Sequence, residues 1–405
     1  MAPVGWALRA AGHEVRYVGP RNPAEVESFL ETGLDTMWFG EDLDIARHRK
    51  LGQVGGEDPM DSEFMLSETR SEVMTDDYVR SVYEMWSGVY QWAAPEPLLE
   101  ELLRFARSWR PGLVVWDPMI YAGPLIAEAV GAAHARMLYA ADQSARIYYQ
   151  HAEMLARPGY RGPGDDPLQD WMTDWLRRHG ADWNERARHG MVTIDPSPAC
   201  IRHDLPTETI PVRFAPVNRP MAVQPWVVEQ PDRPRICLTL GVSNRQVYGH
   251  EETSVAALLD GLSELDVEVV ATLNAGQLAS VPNVPDNVRA VDFVPMNELL
   301  ATCSAIVHQG GGATIGNAVV NGVPQLIVPG TTWSERASAL ALEQRGNGLT
   351  LDLADVTPAG VRDRVARMIA EPSFARAAAE VRDEMAATPT INDIVPRLEA
   401  LTSCL

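Results

Sequence analysis

The chain has few cysteines, little positive charge and no long apolar run. Its cysteines form no Cys-x-x-Cys pair and stand far apart, at Cys200, Cys237, Cys303 and Cys404. This spacing excludes a disulfide framework and favours a reducing compartment. No apolar run approaches the length of a membrane span, and Met1 does not begin a signal peptide. We therefore expect a soluble cytoplasmic protein without a membrane segment.

Lysine is almost absent. Lys50 is the only one, and 34 Lys and Arg residues face 55 Asp and Glu residues, which gives a formal net charge of −21. Such a charge disfavours binding to nucleic acid or to an anionic membrane surface. A phosphate ligand would have to be bound locally, by backbone N–H groups, a histidine or a single arginine.

Two familiar nucleotide-binding motifs are missing as well. There is no G-x-G-x-x-G after an early strand, as a dinucleotide-binding fold requires, and no G-x-x-x-x-G-K-[ST] phosphate loop. The chain is nevertheless long enough for two hydrophobic cores, with 405 residues of which 46% are hydrophobic. Any nucleotide site must therefore use another pattern.

The segment Cys303–Pro329 has such a pattern. Ala305–Val307 is a short apolar run, His308 follows it, and a glycine triplet stands at Gly310–Gly312. A helical pattern then runs to Gly322, which suits a C-cap, and a second apolar run follows. A strand, a glycine turn and a helix N-terminus gather unpaired N–H groups and the positive end of the helix dipole. This predicts a nucleotide-diphosphate site, with an ordinary tight turn as the alternative.

The chain is predicted to form two α/β domains with parallel sheets. Residues 205–234 contain seven prolines and little periodicity, which indicates a linker. We place an N-terminal domain at residues 1–204, a C-terminal domain at 235–385 and a helical tail at 386–405. Alternating apolar runs and helical patterns on both sides of the linker support this division.

The first domain is expected to lack its first strand. Residues 3–11 have a helical pattern and residues 14–18 the pattern of a strand. In a parallel sheet such a helix is half of a crossover between two strands, so a strand should precede it. The expectation is that about 15 further residues are encoded upstream of Met1, the length of a strand with its loop.

Two features of the first domain are candidates for a substrate site. Asp117 follows the apolar run Leu113–Trp116, and α/β folds place ligand-contacting groups at the carboxyl ends of parallel strands. Tyr83, Trp86 and Tyr90 lie on one face of a helical pattern. This aromatic stripe is predicted either to lie in the core or to contact an apolar ligand or a partner helix.

The glycine segment resembles the donor signature of nucleotide-sugar-dependent natural-product glycosyltransferases. The matching residues are His308–Gly312 (HQGGG) and Gly322–Gln325 (GVPQ). Further segments resemble the deoxysugar transferases of actinomycete macrolide and anthracycline pathways: Trp6–Val15, Trp109–Pro111, Thr193–Pro196, Cys237–Gly241 and Phe293–Pro295. The resemblance implies the GT-B fold, in which two Rossmann-like domains face each other across a cleft.

The resemblance also implies roles for residues of the second domain. His308 would contact the pyrophosphate of the donor, and Phe293 and Val294 would flank its nucleobase. The phosphates would meet donor groups or the cleft wall at Gly310, Gly311, Gly312, Thr314, Thr239 and Ser243. Trp333, Ser334 and Glu335 stand where relatives often carry an Asp-containing pair that binds sugar hydroxyls. Ser334 and Glu335 depart from that pair, and Ala313 stands where many relatives have glycine, so the sugar is left open.

The implied reaction inverts the anomeric centre of a deoxysugar or aminosugar linked to dTDP or UDP, with dTDP favoured. A base deprotonates the acceptor hydroxyl while the protein stabilises the departing nucleotide diphosphate. In relatives that base is a histidine before the segment matching Pro3–Trp6, and Asp117 matches the acid that orients it. A carboxylate of ordinary pKa near 4 is itself a weak base at neutral pH. We expect no metal and no cofactor beyond the sugar donor.

The expected acceptor is an apolar polyketide, with Tyr83, Trp86 and Tyr90 as candidate contacts. Several relatives work with a cytochrome-P450-like auxiliary protein, for which the aromatic stripe is a candidate docking surface, and a homodimer is a further expected assembly. Two alternatives stay open. One is a nucleotide-sugar epimerase of the same fold, and the other is a non-catalytic homologue that binds the nucleotide sugar.

Overall fold

Parallel strands joined by helices make up the fold. The computed structural model describes residues 1–21, 26–41, 66–162, 164–241, 253–281, 283–330 and 333–403. Every strand pairing among these residues is parallel. This confirms the predicted α/β class.

The described chain divides into two units. Unit 1 comprises Met1–Pro196, His203–Val217 and Pro389–Leu405, and unit 2 comprises Ser197–Arg202 and Asn218–Thr388.

Unit 1 contains a two-stranded and a four-stranded sheet. The strands are β1 (Tyr17–Pro20), β2 (Thr36–Phe39), β3 (Leu113–Trp116), β4 (Ala133–Met137), β5 (Val192–Asp195) and β6 (Thr209–Pro211), paired as β1-β2 and β3-β4-β5-β6. The helices are α1 (Ala2–Ala10), α2 (Val26–Leu30), α3 (Asp76–Ala93), α4 (Glu96–Trp109), α5 (Ala122–Val130), α6 (Gln143–Ala156), α7 (Pro167–Arg178) and α8 (Arg186–His189). A 3₁₀ turn at Asn392–Ile394 and α17 (Val395–Thr402) complete the unit.

Unit 2 is built on one six-stranded sheet. Its order is β12-β11-β10-β7-β8-β9, with β7 (Arg235–Thr239), β8 (Glu268–Thr272), β9 (Val288–Val291), β10 (Ala305–His308), β11 (Gln325–Ile327) and β12 (Gly348–Thr350). The helices are α9 (Pro225–Val228), α10 (Val255–Ser263), α11 (Ala275–Ala279), α12 (Met296–Leu300), α13 (Gly312–Asn321), α14 (Glu335–Gln344), α15 (Pro358–Ala370) and α16 (Pro372–Ala386). Short 3₁₀ turns lie at Ala199–Ile201 and Leu353–Asp355.

The core of unit 2 lies on both faces of this sheet. Leu238 and Val307 pack with helices α10 and α15 on one face, and Cys237 and Ile306 pack with α12 and α13 on the other. Strands that are covered on both faces have no side chains facing solvent, so their sequences are continuous apolar runs. That property made β7 and β10 predictable.

The predicted linker, residues 205–234, is divided between the two units. Residues 205–217 belong to unit 1, where β6 extends the sheet beside β5, and the short excursion Ser197–Arg202 belongs to unit 2. Prolines at the ends of strands do not interrupt a sheet, so proline content alone placed the boundary too early.

The C-terminal helical segment packs in unit 1. Its last helix, α17, packs against β3 and β4, and Leu398 is fully buried beside Ala135 and Ile194. Residues 389–405 are therefore part of unit 1 and not an appendage after the second domain. Within the described residues, no helix has the length and apolar character needed to cross a membrane.

Candidate functional site

The carboxyl edge of the sheet in unit 2 gathers most of the predicted site residues. His308 ends β10 and pairs in register with Thr239 at the end of β7 and with Ile327 at the end of β11. Thr239 is in turn paired with Thr272 at the end of β8. The loops that leave this edge therefore begin side by side, which is where parallel α/β sheets bind ligands.

The glycine turn after β10 depends on Gly310. Its φ of +93° lies in the region that favours glycine, and a Cβ there would lie 3.1 Å from both Ile327 Cγ2 and Glu335 Cβ. Gly310 thus permits a turn in which β10, β11 and the start of α14 come together. The turn leads directly into α13.

The N-terminus of α13 is open to solvent and suited to an anion. Gly311 is the N-cap and Gly312 the first helical residue. Gly311 and Ala313 are exposed, and Gly312 and Thr314 are half-buried. First-turn amides have no intrahelical partner, and the helix dipole adds positive potential at the same point. The backbone at this point is therefore suited to an anion.

His308 does not fit its predicted role as a donating or cationic phosphate contact. The ring is buried, with 1% of the residue exposed. Its Nδ1 accepts from the Gly310 N–H at 3.0 Å, so its Nε2 donates to Gln325 Oε1, also at 3.0 Å. Burial lowers the pKa of His308 to about 4, against a smaller opposing effect of the Gln325 hydrogen bond. A neutral ring with both nitrogens occupied supports the glycine turn from behind.

Two threonines form a second support at the same edge. Thr239 is buried, and its Oγ1 accepts from the Thr272 hydroxyl at 2.7 Å and, more weakly, from the Gly241 N–H at 3.5 Å. Thr239 therefore shapes the loop after β7, where the sequence placed it beside the phosphates. Ser243, predicted in the same loop, lies outside the described residues.

Phe293 and Val294 separate in the structure. Phe293 is 38% exposed in the segment between β9 and α12, and the guanidinium of Arg219 lies 5.7 Å from its ring centroid. Val294 is buried in the core of unit 2. Only Phe293 presents a surface that a planar base could contact.

The segment Trp333–Glu335 caps α14 beside the glycine turn. Glu335 Oε2 accepts from the Trp333 N–H at 2.9 Å, and both Ser334 and Glu335 are buried while Trp333 is half-buried. The carboxylate thus holds the loop at the helix N-terminus, where negative charge is stabilised. Glu335 also lies close to Gly310, so the segment predicted to bind the sugar lies next to the glycine turn.

Asp117 stands at the carboxyl end of β3 in unit 1, as expected. Its Oδ1 accepts from the Met119 N–H at 2.9 Å, which closes a local turn. Burial raises the pKa of Asp117, while the Met119 hydrogen bond and the charge of the Met1 amino group act against this rise. The carboxyl group is therefore held in place and is more basic than an exposed aspartate.

The aromatic stripe is part of the core, which corrects its assignment as an acceptor contact or docking surface. Tyr83, Trp86 and Tyr90 are each 2–3% exposed. Tyr83 donates to Asp166 Oδ1 at 2.6 Å, and Tyr90 donates to Ser144 Oγ at 2.7 Å. Side chains that are buried and hydrogen-bonded within unit 1 have no free surface for an acceptor or a partner protein.

Within the described residues, one group of potential metal ligands lies in unit 1. Atoms of Glu96, Glu100 and His179 come within 4.8 Å of one another. Arg178 Nη1 pairs with Glu96 Oε1 at 2.7 Å, and His179 Nε2 lies 3.3 Å from Glu100 Oε1. These contacts account for the group as a link between α4 and α7.

Gln325 and Thr272 are site-supporting residues that sequence analysis did not single out. Gln325 belongs to the GVPQ string that carried the resemblance, but a glutamine in an apolar run gives no sign of its partner. Thr272 ends a predicted strand like any other residue. Only the register of neighbouring strands shows that they meet His308 and Thr239.

Comparison with solved structures identifies the class of protein. Glycosyltransferase VinC in complex with dTDP has a TM-score of 0.87 to this chain and 37% sequence identity, covering 100% of this chain and 96% of that one. The fold is therefore that of the GT-B glycosyltransferases, and the protein is a glycosyltransferase.

The family follows from the sequence comparisons. Residues 6–241 and 256–401 match the N-terminal and C-terminal domains described as erythromycin biosynthesis protein CIII-like. Aclacinomycin-T 2-deoxy-L-fucose transferase of Streptomyces galilaeus is 42% identical, covering 99% of this chain and 92% of that protein. 10-Deoxymethynolide desosaminyltransferase of Streptomyces venezuelae is 39% identical, covering 100% and 94%. The chain belongs to the erythromycin biosynthesis protein CIII-like family.

Proposed function

We propose that this protein transfers a deoxysugar from a dTDP donor to a hydroxyl group of a macrolide- or anthracycline-type polyketide, with inversion at the anomeric carbon. The observation that carries the proposal is the exposed N-terminus of α13 behind Gly310, in a chain similar to a transferase that binds dTDP. The two relatives named above transfer 2-deoxy-L-fucose and desosamine.

The donor diphosphate would lie against the first turn of α13. Amide groups of Gly311, Gly312 and Ala313 and the hydroxyl of Thr314 would donate to its oxygens. The diphosphate gains negative charge as the glycosidic bond breaks, so donors fixed at this point stabilise the transition state more than the bound donor. His308 would act indirectly, by fixing the turn through its bond from Gly310.

Asp117 would serve the acceptor side of the reaction. A buried carboxyl group with a raised pKa, fixed by the Met119 amide, can orient the group that takes the proton from the acceptor hydroxyl. Asp117→Asn keeps the size and the hydrogen-bond acceptor but removes the charge. We expect transfer to slow about 10²-fold while dTDP affinity is unchanged.

The test is a transfer assay with dTDP-linked 2-deoxy-L-fucose or desosamine and a panel of macrolide and anthracycline aglycones, followed by mass spectrometry and by NMR of the new glycosidic centre. A glycosylated aglycone with inverted configuration supports the proposal. Isomerised donor without transfer would indicate an epimerase instead, and dTDP binding without turnover would indicate a non-catalytic homologue.

We further propose a cytochrome-P450-like auxiliary protein as a partner and a homodimer as the assembly, both on the resemblance alone. The described part of the chain holds Cys200, Cys237 and Cys303 as free thiols, which supports a cytoplasmic, reducing location. The assay should be run with and without a cognate auxiliary protein, and light scattering gives the assembly. A rate that never depends on the auxiliary protein, or a monomer at all concentrations, would refute the respective statement.

A further inference from the structure

The carboxyl edge of the four-stranded sheet in unit 1 carries polar side chains beyond Asp117. Helix α6 begins there, after β4, and contains Gln143 and Arg146 in its first turn. Because β4 pairs in parallel with β3, this helix and Asp117 leave the same edge. His203 follows β5, the next strand of the sheet. The group thus lies where an α/β unit binds its ligand.

Gln143 holds a buried donor with no acceptor. Its Oε1 accepts from Arg146 Nε at 2.6 Å, which fixes the orientation of the amide because a guanidinium only donates. Nε2 is left as a donor, and nothing in the described part of the chain accepts from it. The residue is 4% exposed. Buried donors in native proteins are usually satisfied, so an acceptor from outside would complete this one.

Arg146 adds a buried positive charge to the group. Besides Gln143, its guanidinium donates to Gln150 Oε1 at 3.3 Å and to the main-chain oxygens of Leu66 and Glu68. All of these acceptors are neutral, and no carboxylate of the described residues forms an ion pair with it. Burial lowers the pKa of Arg146 to about 10, so it stays charged at neutral pH. Glu68 acts on this charge electrostatically, but within the described ranges no carboxylate is in direct contact with it.

His203 supplies a third polar atom. Its Nε2 is buried and has no hydrogen-bond partner among the residues that the structure describes. Burial and the charge of Arg146 lower the pKa of His203, while Asp142 opposes them. A neutral histidine can donate one N–H. Helix α6 and the segment after β5 therefore bring two unsatisfied polar groups, and a cation without an ion pair among the described residues, to the same edge of the sheet.

We propose that Gln143, Arg146 and His203 form a subsite for an anionic oxygen of the acceptor, a carboxylate or phenolate carried on an apolar ring system. The proposal rests on the proposed function, in which unit 1 binds the acceptor. The anion would accept from Gln143 Nε2 and His203 and neutralise Arg146. Charge-assisted bonds of this kind are the stronger class of hydrogen bond.

The test uses the full chain and two small probes, 2-naphthoate and its neutral counterpart 2-naphthamide, titrated by ligand-observed NMR. The subsite should bind the naphthoate about 10-fold more tightly than the naphthamide, because hydrogen bonds to charged groups are the stronger ones. Gln143→Glu keeps the oxygen that Arg146 Nε needs and replaces the donor with a negative charge. It should leave the melting temperature unchanged or raise it, and weaken naphthoate binding at least about 10-fold.

Gln150→Glu is the matched control, since it also puts a carboxylate beside Arg146 but leaves the Gln143 donor in place. It should weaken naphthoate binding clearly less than Gln143→Glu does. Equal losses in the two variants, equal affinities for the two probes, or no binding of either probe would overturn the proposal.

Failure here is distinguishable from failure of the proposed function. The probes need no sugar donor, and dTDP can be titrated into the same samples. Unchanged dTDP binding and sugar transfer without naphthoate binding would remove the subsite alone. Naphthoate binding in a protein that neither binds dTDP nor transfers sugar would remove the proposed function alone.

Discussion

At the scale of single residues, His308 shows how a buried ring can set the geometry of a glycine turn from the side of the core. The ring accepts from the turn and donates to the neighbouring strand, so β10, β11 and the glycine turn are joined through one side chain. Protonation would force Nδ1 to stop accepting from Gly310. The turn should therefore weaken in acid.

The pH dependence of unit 2 tests this. The folded-state pKa of about 4 lies below the ordinary value of 6.5, so the unfolded state binds the proton first as the pH falls. The stabilisation is complete above pH 6.5 and is lost on the way down to pH 4. Between pH 7 and 4.5 the loss should reach about 2.5 kcal/mol.

Native-state hydrogen exchange of the β10 amides measures that loss. The variant His308→Asn has no group at this position that titrates in this range. Between pH 7 and 4.5 its loss of stability should therefore be smaller than that of the unmodified protein, and the difference should be about 2.5 kcal/mol. The comparison removes the contribution of carboxylates, which both proteins share. Parallel pH profiles for the two proteins would show that His308 does not have the depressed pKa.

The N-cap of α13 allows a second residue-level prediction. Gly311 has a negative φ, and a Cβ there would meet only Thr314 Oγ1, at 3.9 Å. Asp and Asn are both favoured N-caps, so Gly311→Asp and Gly311→Asn should fold normally. The aspartate places a negative charge where the diphosphate would bind, so dTDP affinity should fall at least about 10-fold below that of the asparagine variant.

Calorimetric titration with dTDP checks this prediction, and the neutral asparagine controls for the added volume. Equal affinities of the two variants would mean that the diphosphate does not lie at the start of α13.

Residue patterns revealed the backbone of this site better than its side chains. Glycine is the residue that most readily adopts a positive φ, and Gly310 and Gly322 both do so. The turn and the end of α13 were therefore predictable from these glycines. The role of His308 was not, because its partner Gln325 lies 17 positions away on a neighbouring strand. A histidine that faces a ligand and one that faces the core look the same in the sequence.

At the scale of elements, unit 1 joins its helices through a buried ion pair. Arg188 of α8 donates to Asp166 Oδ2 at 2.8 Å and to the Tyr83 hydroxyl at 2.8 Å. Its guanidinium lies 4.0 Å from the ring centroid of Tyr148 and 5.1 Å from that of Trp183. Arg188 is fully buried, so its charge depends on these partners and on Glu185, whose Oε2 lies 3.4 Å from Nε.

Asp166→Asn should destabilise unit 1 by about 2 kcal/mol, because a hydrogen bond between charged groups is lost and only the more exposed Glu185 remains to pair with the buried guanidinium. Asparagine is also a good N-cap, so the bond to the Gln169 N–H at the start of α7 is kept and the change isolates the charge. Urea denaturation gives the free energy of unfolding.

The control lies on the same helix. Asp174 pairs with Arg178 at 3.3 Å on the surface, and Asp174→Asn should cost less than about 1 kcal/mol. Similar losses in the two variants would contradict the role assigned to the buried pair.

Element types were more predictable than their ends and partners. Asp76–Ala93 and Glu96–Trp109 are two separate helices, since Pro95 disfavours a helical conformation at Ala94 and serves as the N-cap of α4. The strand Thr36–Phe39 was not predicted, because an alternating pattern cannot be recognised over only four residues. The aromatic stripe had the spacing of a core face, and its core position is confirmed.

At the scale of the whole molecule, neither unit is one continuous stretch of the chain. The chain enters unit 2, returns to unit 1 at His203, passes to unit 2 again and ends in unit 1. An amphipathic helix such as α17 shows that it covers a core but not which one, so this return could not be predicted from its pattern. Substitutions in these helices can test to which unit each helix contributes stability.

Leu398→Ala should destabilise unit 1 and leave unit 2 unchanged. Leu398 is fully buried in the cluster that includes Ala135, Ile194 and Ile210, and truncating such a leucine costs about 2–5 kcal/mol. Hydrogen exchange should therefore speed up in β4 and β5, although the substitution lies more than two hundred positions later in the chain.

The matched control is Leu258→Ala in α10, which is equally buried in unit 2 beside Val361 and Val365. It should speed up exchange in β7 and β8 and spare β4. If Leu398→Ala instead loosened β7 and β8, the last helix would belong with the second unit, as the sequence order alone suggests.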